Sequence, residues 1–120
     1  MAIIQSRSHR LDDMLFHICR SEDWDGAVRT KKYLGTARDQ RYGFIHFSTA
    51  EQLPDTVARH FAKAADLIVL AVRRAALEPR LKWESAPYGT PFPHHYGAVA
   101  TNWVLSVHPM NLGHNGAHLL

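Results

Sequence analysis

A chain of 120 residues, 46% hydrophobic and 21% charged, has the length and balance of one globular domain with a single core. Its lone cysteine, Cys19, rules out an intrachain disulfide or a thiolate metal site, and no apolar run approaches the roughly 18–20 residues that cross a bilayer. The net charge of +3 falls short of a nucleic-acid footprint, and MAIIQSRSHRLDD at the N-terminus lacks an apolar leader core, so the cytoplasm is the expected compartment.

Residues 1–12 are polar and read as a frayed end. Residues 14–19 read as a strand, with Leu15, His17 and Cys19 on one face and Met14, Phe16 and Ile18 on the other. Ser21 is a favourable N-cap, and Glu22, Asp23 and Asp25 suit the positive end of a helix running to about residue 31, packed onto the sheet by Trp24. Residues 33–42 are polar, contain Gly35 and read as a loop. Residues 43–47 read as a second strand, with Phe44, His46 and Ser48 on one face and Ile45 and Phe47 on the other. Ser48 with Glu51, and Thr49 with Gln52, both have capping-box spacing. Leu53, Val57, Ala58 and Phe61 then recur at helical intervals, so a helix is expected over 53–63 with Pro54 in its opening turn. Residues 66–72 are apolar nearly throughout, as in a central strand covered on both faces. A single helical turn over 73–77 and a short strand over 81–84 follow. APYGTPFPHHYG, residues 86–97, holds three prolines and two glycines and reads as a stiff loop. Residues 99–107 return to strand, which Pro109 ends, and Trp83 and Trp103 are assigned to the core. From Asn111 onward the chain reads as a disordered tail. Mixed short strands with two main helices make the class α+β, with a core over about residues 14–109.

Nine histidines are many for this length, and four of them lie among apolar residues: His17, His46, His94 and His95. An imidazole in a strand costs free energy unless its nitrogens find partners. A backbone carbonyl explains one such ring. His46 shares a face with Ser48 at the mouth of a helix, whose open N–H groups favour anions. His17 lies on another apolar strand, and His94 sits beside Tyr96 in the proline-stiffened stretch. Three polar rings on rigid supports point to a lined cleft. Tyr88 and Tyr96 can stack on a flat ligand there or pack the turn. Arg29, Lys31, Lys32, Arg38 and Arg41 cluster nearby in sequence; they read first as solvated surface and second as a contact for phosphates or nucleic acid.

The segments that carry these residues resemble domain of unknown function 952, a family of bacterial and plant proteins. The resemblance rests on LFHI (15–18), GFIHFSTAEQLP (43–54), DLIVLAV (66–72), LKWE (81–84) and PFPHHYG (91–97), in that order, and covers about residues 14–109. The family pattern has histidine at the positions of His17, His46 and His94, the hydroxyl pair at Ser48 and Thr49, and the pair Trp83 and Glu84. His95 stands where the family usually has an apolar residue. By remote similarity the family is grouped with the ADP-ribosyltransferase fold. The resemblance therefore implies a compact, split, mixed β-sheet with two main helices around an NAD-binding cleft. It implies that His17, Ser48, Thr49 and Tyr96 bind the dinucleotide, and that His46, Glu84 and His94 act in cleavage of the nicotinamide–ribose bond. The glutamate that often completes such sites late in the chain is absent from the final strand, VATNWVLSV, and Glu84 is its nearest substitute.

Other readings stay open at this point. A pocket of the same fold could bind a nucleotide or small ligand without turnover. Three histidines and a glutamate could ligate zinc in a hydrolase, although no H-E-x-x-H or His-x-His spacing supports it and no metal is assigned. A two-histidine phosphoesterase needs two His-x-Ser/Thr motifs, and His46-Phe47-Ser48 has no twin in the sequence. Cys19 reads as a small buried apolar residue. The expected partner is a small dinucleotide with an unspecified acceptor, and no membrane.

Overall fold

The computed structural model describes residues 11–85, 89–112 and 118–119. In chain order the elements are β1 (Met14–Arg20), α1 (Ser21–Thr30), β2 (Lys32–Tyr33), α2 (Ala37–Tyr42), β3 (Ile45–His46), α3 (Leu53–His60), β4 (Leu67–Arg73), α4 (Arg74–Leu77), β5 (Leu81–Glu84), β6 (Phe92–His95), β7 (Val99–Ala100), β8 (Val104–Leu112) and β9 (His118–Leu119). The class is α+β, with four α-helices among the described residues. The strands form one sheet in the order β1-β4-β8-β9, a second in the order β3-β6-β5 and a pair β2-β7. Every described pairing is antiparallel, so the expectation of a mixed sheet is corrected. Among the described residues no helix is long and apolar enough to cross a membrane.

The two faces expected for β1 are the ones observed. Leu15 and Cys19 join Ile68, Leu70 and Val72 of β4 in one core, against Phe47, Ile45 and Trp24. Met14, Phe16 and Ile18 join Leu67, Val69 and Ala71 in a second core, against Leu53 and Val57 of α3. Strand β4 is buried on both faces because each side carries a helical or second-sheet layer. Burying one such Leu, Val or Phe side chain stabilises the fold by about 1.5–3 kcal/mol. At Phe16 the first sheet meets the second: the N–H and carbonyl of Phe16 exchange 2.8 Å hydrogen bonds with Ser48. That single bridge ties β1 to the stretch just after β3.

Several boundaries differ from the sequence expectation, each for a local reason. Residues 37–42 are helix and not loop. Thr36 Oγ1 accepts from the N–H of Asp39 at 3.1 Å, and Asp39 Oδ2 accepts from the N–H of Thr36 at 2.7 Å. That reciprocal box starts α2 and left-handed Gly43 (φ 83°) ends it. Helix α1 is capped at Arg20, one residue before Ser21, where the Arg20 N–H donates to Asp23 Oδ2 at 3.4 Å. Helix α3 stops at His60, short of residue 63. Of its two candidate boxes the Thr49–Gln52 one forms, with bonds of 3.1 and 3.2 Å, and it closes a turn ahead of the helix.

The proline-rich stretch contains strand β6. Its Pro93 faces Trp83 of β5, and the Pro93 carbonyl still accepts from the N–H of Phe47 at 3.0 Å, so losing a donor does not break the pairing. Likewise β8 runs through Pro109 to Leu112. At Pro109 its described neighbour is β4 alone, the edge setting in which a strand tolerates proline. Residues 111–112 and 118–119 pair as strand, which corrects the disordered tail for those positions. Trp83 is 40% exposed, outside the core, with the Arg74 guanidinium 5.2 Å from its ring centre. Trp103 does pack against the first core. Tyr88 lies outside the described residues.

Candidate active site

Pairing of β3 with β6 sets His46 directly opposite His94, their ring centres 5.3 Å apart. Helix α2 supplies Arg38 and Tyr42, helix α3 supplies Thr56, Arg59 and His60, and β5 supplies Glu84. Together with Phe44, Ser48 and Phe92 they line a cleft of about 290 Å³. That is near the lower end of small-ligand sites.

Each facing histidine is held by a carboxylate. Asp39 Oδ1 accepts from His46 Nδ1 at 2.6 Å, and Glu84 Oε1 accepts from His94 Nδ1 at 2.7 Å. An ionised carboxylate can only accept, so Nδ1 carries the proton in both rings. In the neutral ring Nε2 then keeps a lone pair, the atom able to take a proton from a ligand. Phe44 stacks on His94 at 4.1 Å and fixes its plane. Burial lowers the pKa of His94, assisted by His46 and Arg38 and opposed by Glu84. Hydrogen bonds from His94 and the Tyr96 hydroxyl (2.7 Å) hold Glu84 below its ordinary value, and the same bond raises Tyr96. Glu84 is thus a carboxylate at neutral pH.

Asp39 organises the layer behind the cleft. It is 2% exposed and accepts from the N–H of Thr36, the N–H of His46 and His46 Nδ1, while His17 Nε2 lies 3.5 Å from its Oδ2. Burial pushes its pKa up, but the His46 bond, electrostatic attraction to the nearby His17 ring and the two backbone donors outweigh that and hold it at about 2. His17 is buried with both nitrogens engaged: Nδ1 donates to the His46 carbonyl and Nε2 pairs with the Tyr33 hydroxyl, each at 2.6 Å. Burial lowers its pKa. A ring so enclosed positions β3 and does not line the cleft.

Of the residues expected at the site, His46, Ser48, Glu84 and His94 line one cleft. His17, Thr49 and Tyr96 do not. His17 borders a separate void of about 20 Å³ behind it, Thr49 caps the turn before α3, and Tyr96 reaches the site through Glu84. The Ser48 hydroxyl bonds Thr56 at 2.7 Å, and Thr56 also donates to the Gln52 carbonyl at 3.3 Å. His95, given no role from sequence, is buried, with Nδ1 donating to the Gly97 carbonyl and its ring edge-on to Trp103. Asp39, Thr56 and His60 are site residues that the sequence reading misses, and the T-x-x-D spacing of Thr36 and Asp39 is the signal available for Asp39; Arg38, read first as solvated surface and second as a phosphate contact, lines the cleft. Cys19 is fully buried and its thiol is pushed up to about 12 by burial, as befits an inert core residue. Among the described residues no three His, Cys, Asp or Glu side chains converge to hold a metal ion.

The fold is similar to that of protein CC0527 from Caulobacter crescentus. Its crystal structure superposes with a TM-score of 0.83 at 34% identity, over 89% of this chain and 94% of that one. Its solution NMR structure gives 0.77 at 33% identity, over 88% and 90%. None of the curated proteins matches the sequence. The family described as protein of unknown function (DUF952) matches residues 18–107, three quarters of the chain, and includes the paired β3 and β6 strands that carry the two carboxylate-held histidines. The chain therefore belongs to the DUF952 family.

Proposed function

We propose that the cleft binds NAD as a substrate and that the protein breaks the nicotinamide–ribose bond, transferring ADP-ribose to an acceptor. The observation that carries this reading is Glu84: a carboxylate kept ionised by His94 and Tyr96 on the wall of the same cleft as His46. When the C–N bond breaks, nicotinamide leaves with the electron pair and positive charge develops on the ribose. A fixed carboxylate in a partly desolvated cleft stabilises that charge. The acceptor then forms a bond to the same ribose carbon and releases its proton to Nε2 of His46 or His94. Ser48 and Thr56 offer hydroxyls to ribose, and the face of Phe44 or Tyr42 offers a surface for a flat ring.

The test is nicotinamide release on incubation with NAD, with binding followed by isothermal titration. Glu84→Gln is expected to bind NAD and to lose about a hundredfold or more of the release rate. His46→Ala is expected to lose both binding and turnover. Absence of NAD binding at millimolar concentration would refute the proposal. A second reading is a nucleotide-binding pocket without turnover. It is favoured by the fact that, among the described residues, both hydrogen bonds to Glu84 fall on Oε1 and draw off part of its charge. Tight NAD binding with no nicotinamide released over hours would select it.

A further inference from the structure

We propose that His46 and His94 together form a binding site for a divalent transition-metal ion, zinc above all, with Asp39 and Glu84 as the carboxylates that orient the two rings. The site rests on the geometry of those rings and carboxylates, and stands apart from the nucleotide reading above.

Strand register builds the pair. The His46 N–H donates to Asp39 Oδ1 at 3.1 Å, and the His46 carbonyl accepts from His17 Nδ1 at 2.6 Å. The next backbone bond between the strands runs from the N–H of Phe47 to the Pro93 carbonyl. The His46–His94 pair therefore exchanges no backbone hydrogen bonds, the position at which facing side chains come closest. Their ring centres are 5.3 Å apart. Two imidazoles bound through Nε2 to one tetrahedral ion, with a metal–nitrogen length of roughly 2.0–2.1 Å, have ring centres about 5 Å apart. The two rings thus already stand near the separation that a shared ion requires.

Both rings also carry the support of metal ligands. A metal-binding histidine donates its other N–H to a carboxylate or carbonyl, which fixes the tautomer and leaves one nitrogen to ligate. Here Asp39 takes the Nδ1 proton of His46 at 2.6 Å, and Glu84 that of His94 at 2.7 Å. Among the described residues neither Nε2 has a hydrogen-bond partner. Phe44 lies 4.1 Å from the His94 ring and 4.6 Å from the His46 ring, which restrains both. A general base needs one carboxylate-held imidazole and does not account for a second on the facing strand at this spacing. Paired imidazoles suit zinc, copper or nickel, whereas magnesium and calcium want oxygen. Asp39 and Glu84 set two negative charges against the positive charge of Arg38 on the same cleft. No third protein ligand joins them among the described residues, so the remaining coordination positions open to the cleft, and binding is exchangeable.

Zinc chloride is titrated calorimetrically into the intact, untagged protein at about pH 7.5 in a non-coordinating buffer. Saturable binding of a single ion per chain is expected below about 100 μM. His94→Gln is expected to weaken it by about a hundredfold or more, and Glu84→Gln by about tenfold, in proteins whose circular dichroism matches the parent. His108→Gln, on β8 and outside the cleft lining, controls for other histidines and is expected to bind as the parent does. Nitrogen NMR of the parent needs no variant: zinc is expected to shift the Nε2 signals of His46 and His94 and to leave that of His108 in place. Absence of saturable zinc binding at about millimolar concentration would overturn the inference. Equal losses in His94→Gln and His108→Gln, or shifts confined to other rings, would do the same. Zinc binding without NAD binding leaves the metal site standing, and the proposed reaction falls. Nicotinamide release from NAD without zinc binding leaves the reaction standing, and the metal site falls. Where both hold, zinc inhibits nicotinamide release, because it occupies the lone pairs that accept the proton.

Discussion

Replacing Asp39 with asparagine is the most direct probe of how the site is held. The two side chains have nearly the same shape, so the change is electrical. Where Asp39 Oδ2 accepts from the N–H of Thr36 at 2.7 Å, an amide nitrogen would bring two donors face to face. The amide oxygen can still accept from His46, so one buried donor is orphaned, at a cost of about 1–3 kcal/mol. Lost ionisation adds to this. A carboxyl that ordinarily titrates at 3.8 and here at about 2 contributes on the order of 2 kcal/mol once it is ionised. The sum is about 3–5 kcal/mol, or a fall of roughly 12–20 °C in Tm for a domain of this size. Because the folded pKa is the lower one, this contribution is present above about pH 4 and is lost as pH falls through about 2. Urea unfolding of parent and variant from pH 7 to pH 2 measures it. The gap in stability is expected to be full at neutral pH and to narrow between about pH 4 and 2. A gap below about 1 kcal/mol at pH 7, or one that stays constant down to pH 2, would refute the account of Asp39 as a buried anion gathering three donors.

Two other outcomes follow from the same geometry. Gly35 has φ 95°, and a Cβ built there would lie 2.7 Å from the Asp39 Cβ. Gly35→Ala is expected to destabilise by roughly 1–3 kcal/mol and to loosen the His46 pairing, visible as displaced His46 ring resonances by NMR; a variant as stable as the parent would show that the turn has slack. Burial is the first cause lowering the pKa of His17, His94 and His95. Each therefore contributes stability that is present above the unfolded value near 6.5 and lost as pH falls below it. Chemical unfolding from pH 7.5 down to about 5 should show a declining stability, and His17→Gln should reduce that slope; a slope of the opposite sign would contradict the buried neutral rings.

The sequence by itself determined the parts governed by local rules. Alternation along residues 14–19 placed Leu15 and Cys19 in one core and Met14, Phe16 and Ile18 in the other. The continuous apolar run of β4 announced a strand covered twice, and the Thr49–Gln52 spacing announced the reciprocal box that closes the turn before α3. A strand histidine also declared that partners had to exist, since an imidazole cannot be buried unpaired. Which partners, only the tertiary structure decided. Helix α2 was masked by polar composition, and with it went Asp39, the residue that holds His46. Strand β6 was masked by its prolines, and with it went the register that sets His94 opposite His46. His17 and His46 looked alike in sequence, two rings on apolar strands. Packing separated them: one was closed in by Tyr33 and a backbone carbonyl, while the other was left on the wall of a cleft. Periodicity reports which face of a strand a residue is on. What that face meets depends on strand pairing across dozens of residues, and no local pattern encodes it.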